Sequence, residues 1–217
     1  MKLTNQDGVQ DLDPAFGRMA TRIGQQAWSL PQLTMREKAF VFLAADLCTA
    51  NQGFPLATHA QMAGANGVSV AECVAAIRHL APYVGYPTAA VALQQLRDLG
   101  PSGEPKPVTP ESHQLPAEVR AGVADLDAQF AAFVAEQFAQ RWIDDNELTP
   151  RERALCCLAT DVLNQTLDES LALHLELATA AGAGPSEINA VLLLVAEYGM
   201  AKVWRAYRAL QRMRTAG

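Results

Sequence analysis

"TMREKAFVFLAAD", Thr34 to Asp46, returns as "TPRERALCCLATD", Thr149 to Asp161, and the offset of 115 residues between them decides the fold. The same gap-free offset pairs His59 with His174, Gly67 with Gly182, Glu72 with Glu187 and Tyr83 with Tyr198. Upstream, "LDPAFGRMATRIGQQAWS" from Leu12 meets "LDAQFAAFVAEQFAQRWI" from Leu126 at an offset of 114, so one residue was gained or lost in a connecting loop. Self-similarity at a fixed spacing marks a duplicated structural unit. Between the copies, "GPSGEPKPVTPESHQLP" is rich in proline and glycine and reads as an extended linker. The chain therefore divides into a first repeat over residues 1–99, a linker over 100–116 and a second repeat over 117–217.

Each repeat reads as helices throughout. Asp13 followed by Pro14 is an N-cap with a first-turn proline. Thr34 with Glu37, Ser69 with Glu72 and Thr149 with Glu152 each fit the capping box, in which hydroxyl and carboxylate satisfy helix N–H groups that have no partner within the helix. The run Ala39 to Leu47 is apolar on nearly every face, so its helix belongs at the centre. "VAECVAAIRHL" and "INAVLLLVAEY" are apolar enough to pack on it, and no segment alternates with period two. The pattern predicts about five helices per repeat, at roughly 12–28, 34–50, 54–66, 69–84 and 87–99, then the same set again.

Composition bounds the function. The chain has 217 residues, half of them hydrophobic, with a formal charge of −6, which gives no basic face for nucleic acid or an anionic membrane. The polar N-terminus and the absence of a long apolar run predict a cytoplasmic protein without a membrane anchor. Cys48, Cys73, Cys156 and Cys157 contain no C-x-x-C pair and read as reduced core residues, with no metal site.

His59 in the first repeat, with "GVSVAE" and "APYVGYPTAAVAL" after it and "TMREKA" before it, resembles the carboxymuconolactone decarboxylase family. That resemblance, which extends to an alkylhydroperoxidase-like fold, implies an all-α tandem duplication, a lyase acting on a small-molecule substrate without a cofactor, and ring-shaped self-association, here as a homotrimer. It covers most of the first repeat and, more weakly, the second, which keeps "TPRERA", His174 and "PSEI" but has "YGMAK" at Tyr198 where the first has "YVGYP" at Tyr83. The family's peroxidase-like branch is similar to a thiol–disulfide enzyme with C-x-x-C before the histidine. Here those positions hold Gln52 and Pro55, and Leu167 and Ser170, so an attacking thiolate and its resolving partner are both missing.

A lone histidine in an apolar helical pattern is more often a packing residue than a chemical one. Decarboxylation of a carboxylactone, however, needs a proton delivered to carbon while the lactone carbonyl accepts the electrons, and a histidine suits that step. The candidate catalytic residues are His59, Glu37 and Asp46. Glu37 matches the family's carboxylate but also completes a capping box. Asp46 and its counterpart Asp161 are acidic residues in apolar helices and need a partner, which for Asp46 is either His59, whose imidazole it would orient, or the following loop. Tyr83 and Tyr86 are expected to line the pocket, with Cys48 and His174 as further candidates near substrate. The segment Thr49 to Phe54 looks longer than in decarboxylases and would reshape the pocket. Alternatives are a tailoring enzyme, whether decarboxylase, isomerase or cyclase, for a larger cyclic metabolite, and a non-catalytic oligomeric binding protein in which His59 is structural.

Overall fold

The computed structural model describes residue 3 and residues 6–49, 51–100, 117–142 and 147–216, and among them only helices form. The first repeat contains α1 (Gln6–Leu12), α2 (Pro14–Trp28), α3 (Met35–Cys48), α4 (Phe54–Ala65), α5 (Val70–Val84) and α6 (Tyr86–Arg97). The second contains α7 (Ala117–Ala124), α8 (Ala128–Trp142), α9 (Pro150–Asn164), α10 (Glu169–Ala180), α11 (Pro185–Leu194), a 3-10 turn over Val195–Tyr198, and α12 (Met200–Ala216). The expected five helices stand in each repeat, which makes the fold an all-α tandem duplication. The short helices α1 and α7 precede each set and were not anticipated, because "QDGVQDL" is polar and carries no apolar stripe. Beyond Gly100, the expected linker lies outside the described residues.

Helix starts follow the caps. Asp13 accepts a hydrogen bond from the Phe16 N–H at 2.7 Å, and the capping boxes at Thr34, Ser69 and Thr149 all form. Gly67 and Gly182, one offset apart, both adopt φ of +82°, the left-handed conformation that ends a helix and that L side chains resist.

The core is built on α3 against α9. Every residue from Glu37 to Leu47 and from Glu152 to Leu163 is buried, so both helices are enclosed on all sides. Around this pair the repeats exchange partners: α5 packs on α9 as well as on α3, α11 packs on α3 as well as on α9, α2 touches α11, and α8 touches α5. Reciprocal ion pairs join the same two helices. Arg36 Nε donates to Glu152 at 2.5 Å, and Arg151 Nε donates to Glu37 at 2.6 Å. Arg36 also pairs with Glu72 and donates to the Glu147 carbonyl, while Arg151 donates to the Gly182 carbonyl. The repeats are thus related by a pseudo-two-fold exchange, and each supplies side chains to the other's histidine.

Candidate active site

Asp46 lies near the end of the buried stretch of α3, one residue before Leu47, and His59 lies on the second turn of α4. Nδ1 of His59 donates to Oδ2 of Asp46 at 2.7 Å, which realises the expected pair. The Asp46 side chain is fully enclosed, whereas 15% of the His59 side chain stays exposed. Behind the imidazole, Phe42 stacks with ring centroids 4.6 Å apart, and Trp28 stacks on Phe42 in turn at 4.9 Å. Lys38 secures that aromatic column by donating to the Trp28 carbonyl at 2.7 Å. The imidazole is therefore held by a hydrogen bond along one edge and by π-stacking on one face.

The remaining partner comes from the second repeat. The Tyr198 hydroxyl donates to Oδ1 of Asp46 at 2.8 Å and lies 3.4 Å from Nδ1 of His59. Burial, with the neighbouring Asp46 and Glu197 charges, holds the Tyr198 phenol well above its ordinary pKa, which keeps it a donor. Burial likewise pushes the Asp46 carboxyl up, and the bonds from His59 and Tyr198 draw it part of the way back. No hydrogen-bond partner falls on Nε2 of His59 among the described residues.

The equivalent cluster in the second repeat is closed. Nδ1 of His174 bonds Oδ2 of Asp161 at 2.6 Å, and Thr166 and Ser170 donate to Oδ1 of Asp161 at 2.7 and 2.6 Å. Tyr83, arriving from the first repeat, bonds Nε2 of His174 at 2.9 Å. Where Phe42 backs His59, Cys157 stands beside His174, and His79 fills the vacated space with Nε2 3.3 Å from the Cys157 sulfur. The His174 side chain is 1% exposed and both ring nitrogens are engaged. No atom of it is left for a ligand, so its expected place near substrate is corrected.

Tyr83 is corrected too. It was expected to line the His59 pocket of its own repeat, but the exchange of α5 and α11 carries it to His174 and brings Tyr198 to His59. Tyr86 is exposed, and its hydroxyl donates to Gln137 on α8 at 2.6 Å, with no hydrogen bond or ring contact to His59 or Asp46. Glu37 sits at the opposite end of α3 from Asp46, about 13 Å along the axis at 1.5 Å per residue. One of its oxygens caps Thr34 and the other binds Arg151, so it holds the repeats together. The Cys48 thiol is pushed up to about 12 by burial, and the charges that act on it, Lys202 and Asp161, belong to the second repeat's side. A thiol so protonated is a poor nucleophile.

Sequence reasoning missed Glu197, which was read as part of an apolar helix. It precedes Tyr198 in the 3-10 turn and is close enough to His59 and Asp46 to feel both charges. Away from this cluster, a groove of about 420 Å³ on α12 is lined by Trp204, Tyr207, Arg208 and Arg214, with neither Asp–His pair in its wall. Among the described residues, no group of His, Cys, Asp and Glu has the arrangement of a metal site, and no helix is long and apolar enough to cross a membrane.

The sequence profile of the Carboxymuconolactone decarboxylase family matches twice, over residues 14–98 and 128–212. Among solved structures, a candidate gamma-carboxymuconolactone decarboxylase subunit from Burkholderia xenovorans LB400 is similar, with a TM-score of 0.60 and 21% identity over 100% of this chain and 93% of that one. At that identity the likeness shows a shared fold. Comparison with curated proteins finds no match.

Proposed function

Because the chain belongs to the carboxymuconolactone decarboxylase family and presents one open Asp–His pair, we propose that it is a decarboxylase-like lyase acting on a small carboxylated lactone or oxo-acid at His59. A single contrast carries the proposal. Two equivalent tyrosines make different bonds: Tyr83 occupies Nε2 of His174, whereas Tyr198 binds Asp46 and leaves Nε2 of His59 available. One histidine is sealed and the other is poised.

In the reaction, the bond from the substrate carbon to its carboxylate breaks, CO₂ leaves, and the electron pair delocalises into the conjugated lactone carbonyl. A proton then reaches carbon from Nε2 of His59, so the balance is carboxylate plus one proton giving CO₂ and the reduced-length lactone. Asp46 stabilises the imidazolium before transfer and fixes the ring, with Tyr198 holding Asp46 in turn. These steps require only an acid and an electron sink that the substrate itself carries. Release of labelled CO₂ from a carboxymuconolactone-type substrate carrying ¹³C in its carboxyl group tests the proposal, and no release above the uncatalysed rate would refute it.

We also propose that the chain forms a homotrimer. Leu12, Phe16, Met19 and Ile23 form an exposed apolar stripe, and Leu126, Phe130 and Phe133 repeat it at equivalent positions. Two equivalent apolar faces on one chain are what a closed ring of copies uses. A monomeric mass by light scattering at micromolar concentration would contradict this.

A further inference from the structure

We infer that the groove on α12 is a binding site for a phosphate ester carrying a flat heterocycle, the class of a purine nucleotide, with Trp204 against the ring and Arg208 and Arg214 on the phosphate. The site is separate from His59, and its assignment does not depend on the decarboxylase reading.

Charge sets α12 apart from the rest of the chain. Between Met200 and Ala216 stand Lys202, Arg205, Arg208, Arg212 and Arg214 and no acidic residue, in a chain whose 23 Asp and Glu outnumber its 17 Lys and Arg. Lys202 is engaged internally, donating to the Leu163 carbonyl at 2.8 Å. Arg208 and Arg214 are exposed, and among the described residues neither has a hydrogen bond or an ion pair. The net charge of −6 therefore conceals two cations that the described protein leaves uncompensated.

Helical spacing gathers those two around the groove. Trp204, Arg208, Gln211 and Thr215 follow one another at intervals of four, three and four residues and so share one face, while Tyr207 and Arg214 flank Gln211 at four and three. Arg205 and Arg212 stand outside the groove wall. The volume of about 420 Å³ falls in the ~300–1,000 Å³ range of small-molecule sites. Asn189 of α11 also lines the groove, and the Tyr207 hydroxyl donates to its main-chain carbonyl at 3.0 Å, which ties the two helices together.

Three groups specify the ligand. Trp204 leaves 66% of its surface in solvent, and an exposed indole beside arginines takes a flat ring by stacking. Two guanidinium groups suit a phosphate monoester, whose two charges and several oxygens can engage both planar donor forks, better than a singly charged carboxylate. Oδ1 of Asn189 is buried with no hydrogen-bond partner, so a ligand that brings an N–H to it is favoured. The amino group and adjacent ring nitrogen of an adenine-type ring complement a carboxamide. Trp204 and Arg214 are separated by about 15 Å along the helix axis at 1.5 Å per residue, with Arg208 between them, and the length of the arginine side chains brings a nucleoside monophosphate within that span.

The test is equilibrium dialysis of radiolabelled adenosine monophosphate against the full chain in 0.15 M salt, with adenosine and inorganic phosphate as competitors. Adenosine monophosphate should bind with Kd below about 1 mM, and each half of the ligand should compete at least about tenfold more weakly. Arg208→Gln with Arg214→Gln should weaken binding at least about tenfold, and Trp204→Ala at least about fivefold. Arg205→Gln with Arg212→Gln removes the same charge from the same helix outside the groove and should change affinity less than about twofold. All five side chains are exposed, and an unchanged melting temperature verifies that each variant is folded. No saturable binding, inorganic phosphate competing as well as the nucleotide, or equal losses from the two arginine pairs would each overturn the assignment. CO₂ release at His59 is scored separately, so either reading can fail while the other stands.

Discussion

Tyr198 of the second repeat donates its hydroxyl to Asp46 of the first, 152 residues earlier, and so helps to hold the histidine of a site it does not belong to by sequence. Its counterpart Tyr83 crosses the other way, yet bonds the imidazole instead of the carboxylate. Tyr198→Phe removes a donor from a buried carboxylate and should lower kcat about tenfold, the equivalent of one charge-assisted hydrogen bond, with KM little changed. Tyr83→Phe should leave kcat intact and cost about 1 kcal/mol of stability. Steady-state kinetics and denaturant unfolding of both variants check this, and equal kcat losses would show that both histidines turn over substrate.

His59→Ala and His174→Ala should separate in the same manner. Loss of a positioned general acid lowers kcat by ~10²–10⁴-fold, and because His59→Ala also leaves the enclosed Asp46 with Tyr198 as its remaining donor, it should lower the unfolding midpoint as well. Loss of His174 strands the buried Asp161 with only Thr166 and Ser170 as donors, which should cost about 3 kcal/mol with kcat preserved in the folded fraction. Near-normal turnover by His59→Ala would make that histidine a packing residue.

Much of this was legible in the sequence. The offset of 115 fixed the equivalences, the caps placed the helix starts, and an aspartate in "FLAADL" announced a buried partner that proved to be His59. What could not be read was the exchange. An internal repeat says that Tyr83 and Tyr198 are alike, but which histidine each meets depends on α5 and α11 packing across the α3–α9 pair, a tertiary choice with no local signature. Glu37 and Arg36 show the same limit. The Thr34–Glu37 capping box was plain, while the carboxylate's second partner, Arg151, lay 114 residues away. Glu197 was hidden because an acidic residue at the end of an apolar run looks like a solvated helix end unless the neighbouring site is known.

The reciprocal ion pairs should be worth more together than apart. Arg36→Met leaves the Glu152 carboxylate, 7% exposed, without its cation and should destabilise the fold by roughly 1–3 kcal/mol, less than a wholly buried pair because Arg36 itself is 31% exposed. Adding Glu152→Gln should recover part of that loss. A double-mutant cycle by urea unfolding measures the coupling, and strictly additive costs would show that the pair does not join the repeats energetically.

Stability should also carry the imprint of Glu197. In the folded chain its carboxyl keeps a proton up to about 7, whereas an unconstrained glutamate releases it near 4.5. Between those values the folded state binds more protons than the unfolded state, so this residue's contribution to stability falls as pH rises through that window and is fully lost above it. Below pH 4 both states are protonated and the residue contributes no pH dependence. Glu197→Gln, uncharged throughout, should therefore raise the melting temperature at pH 8 and change it little at pH 4. The comparison is thermal unfolding of wild type and variant at the two pH values, with Pro82 in the equivalent position of the other repeat left untouched. A variant that gains nothing at pH 8 would place the Glu197 carboxyl in ordinary solvent, away from the Asp46 charge.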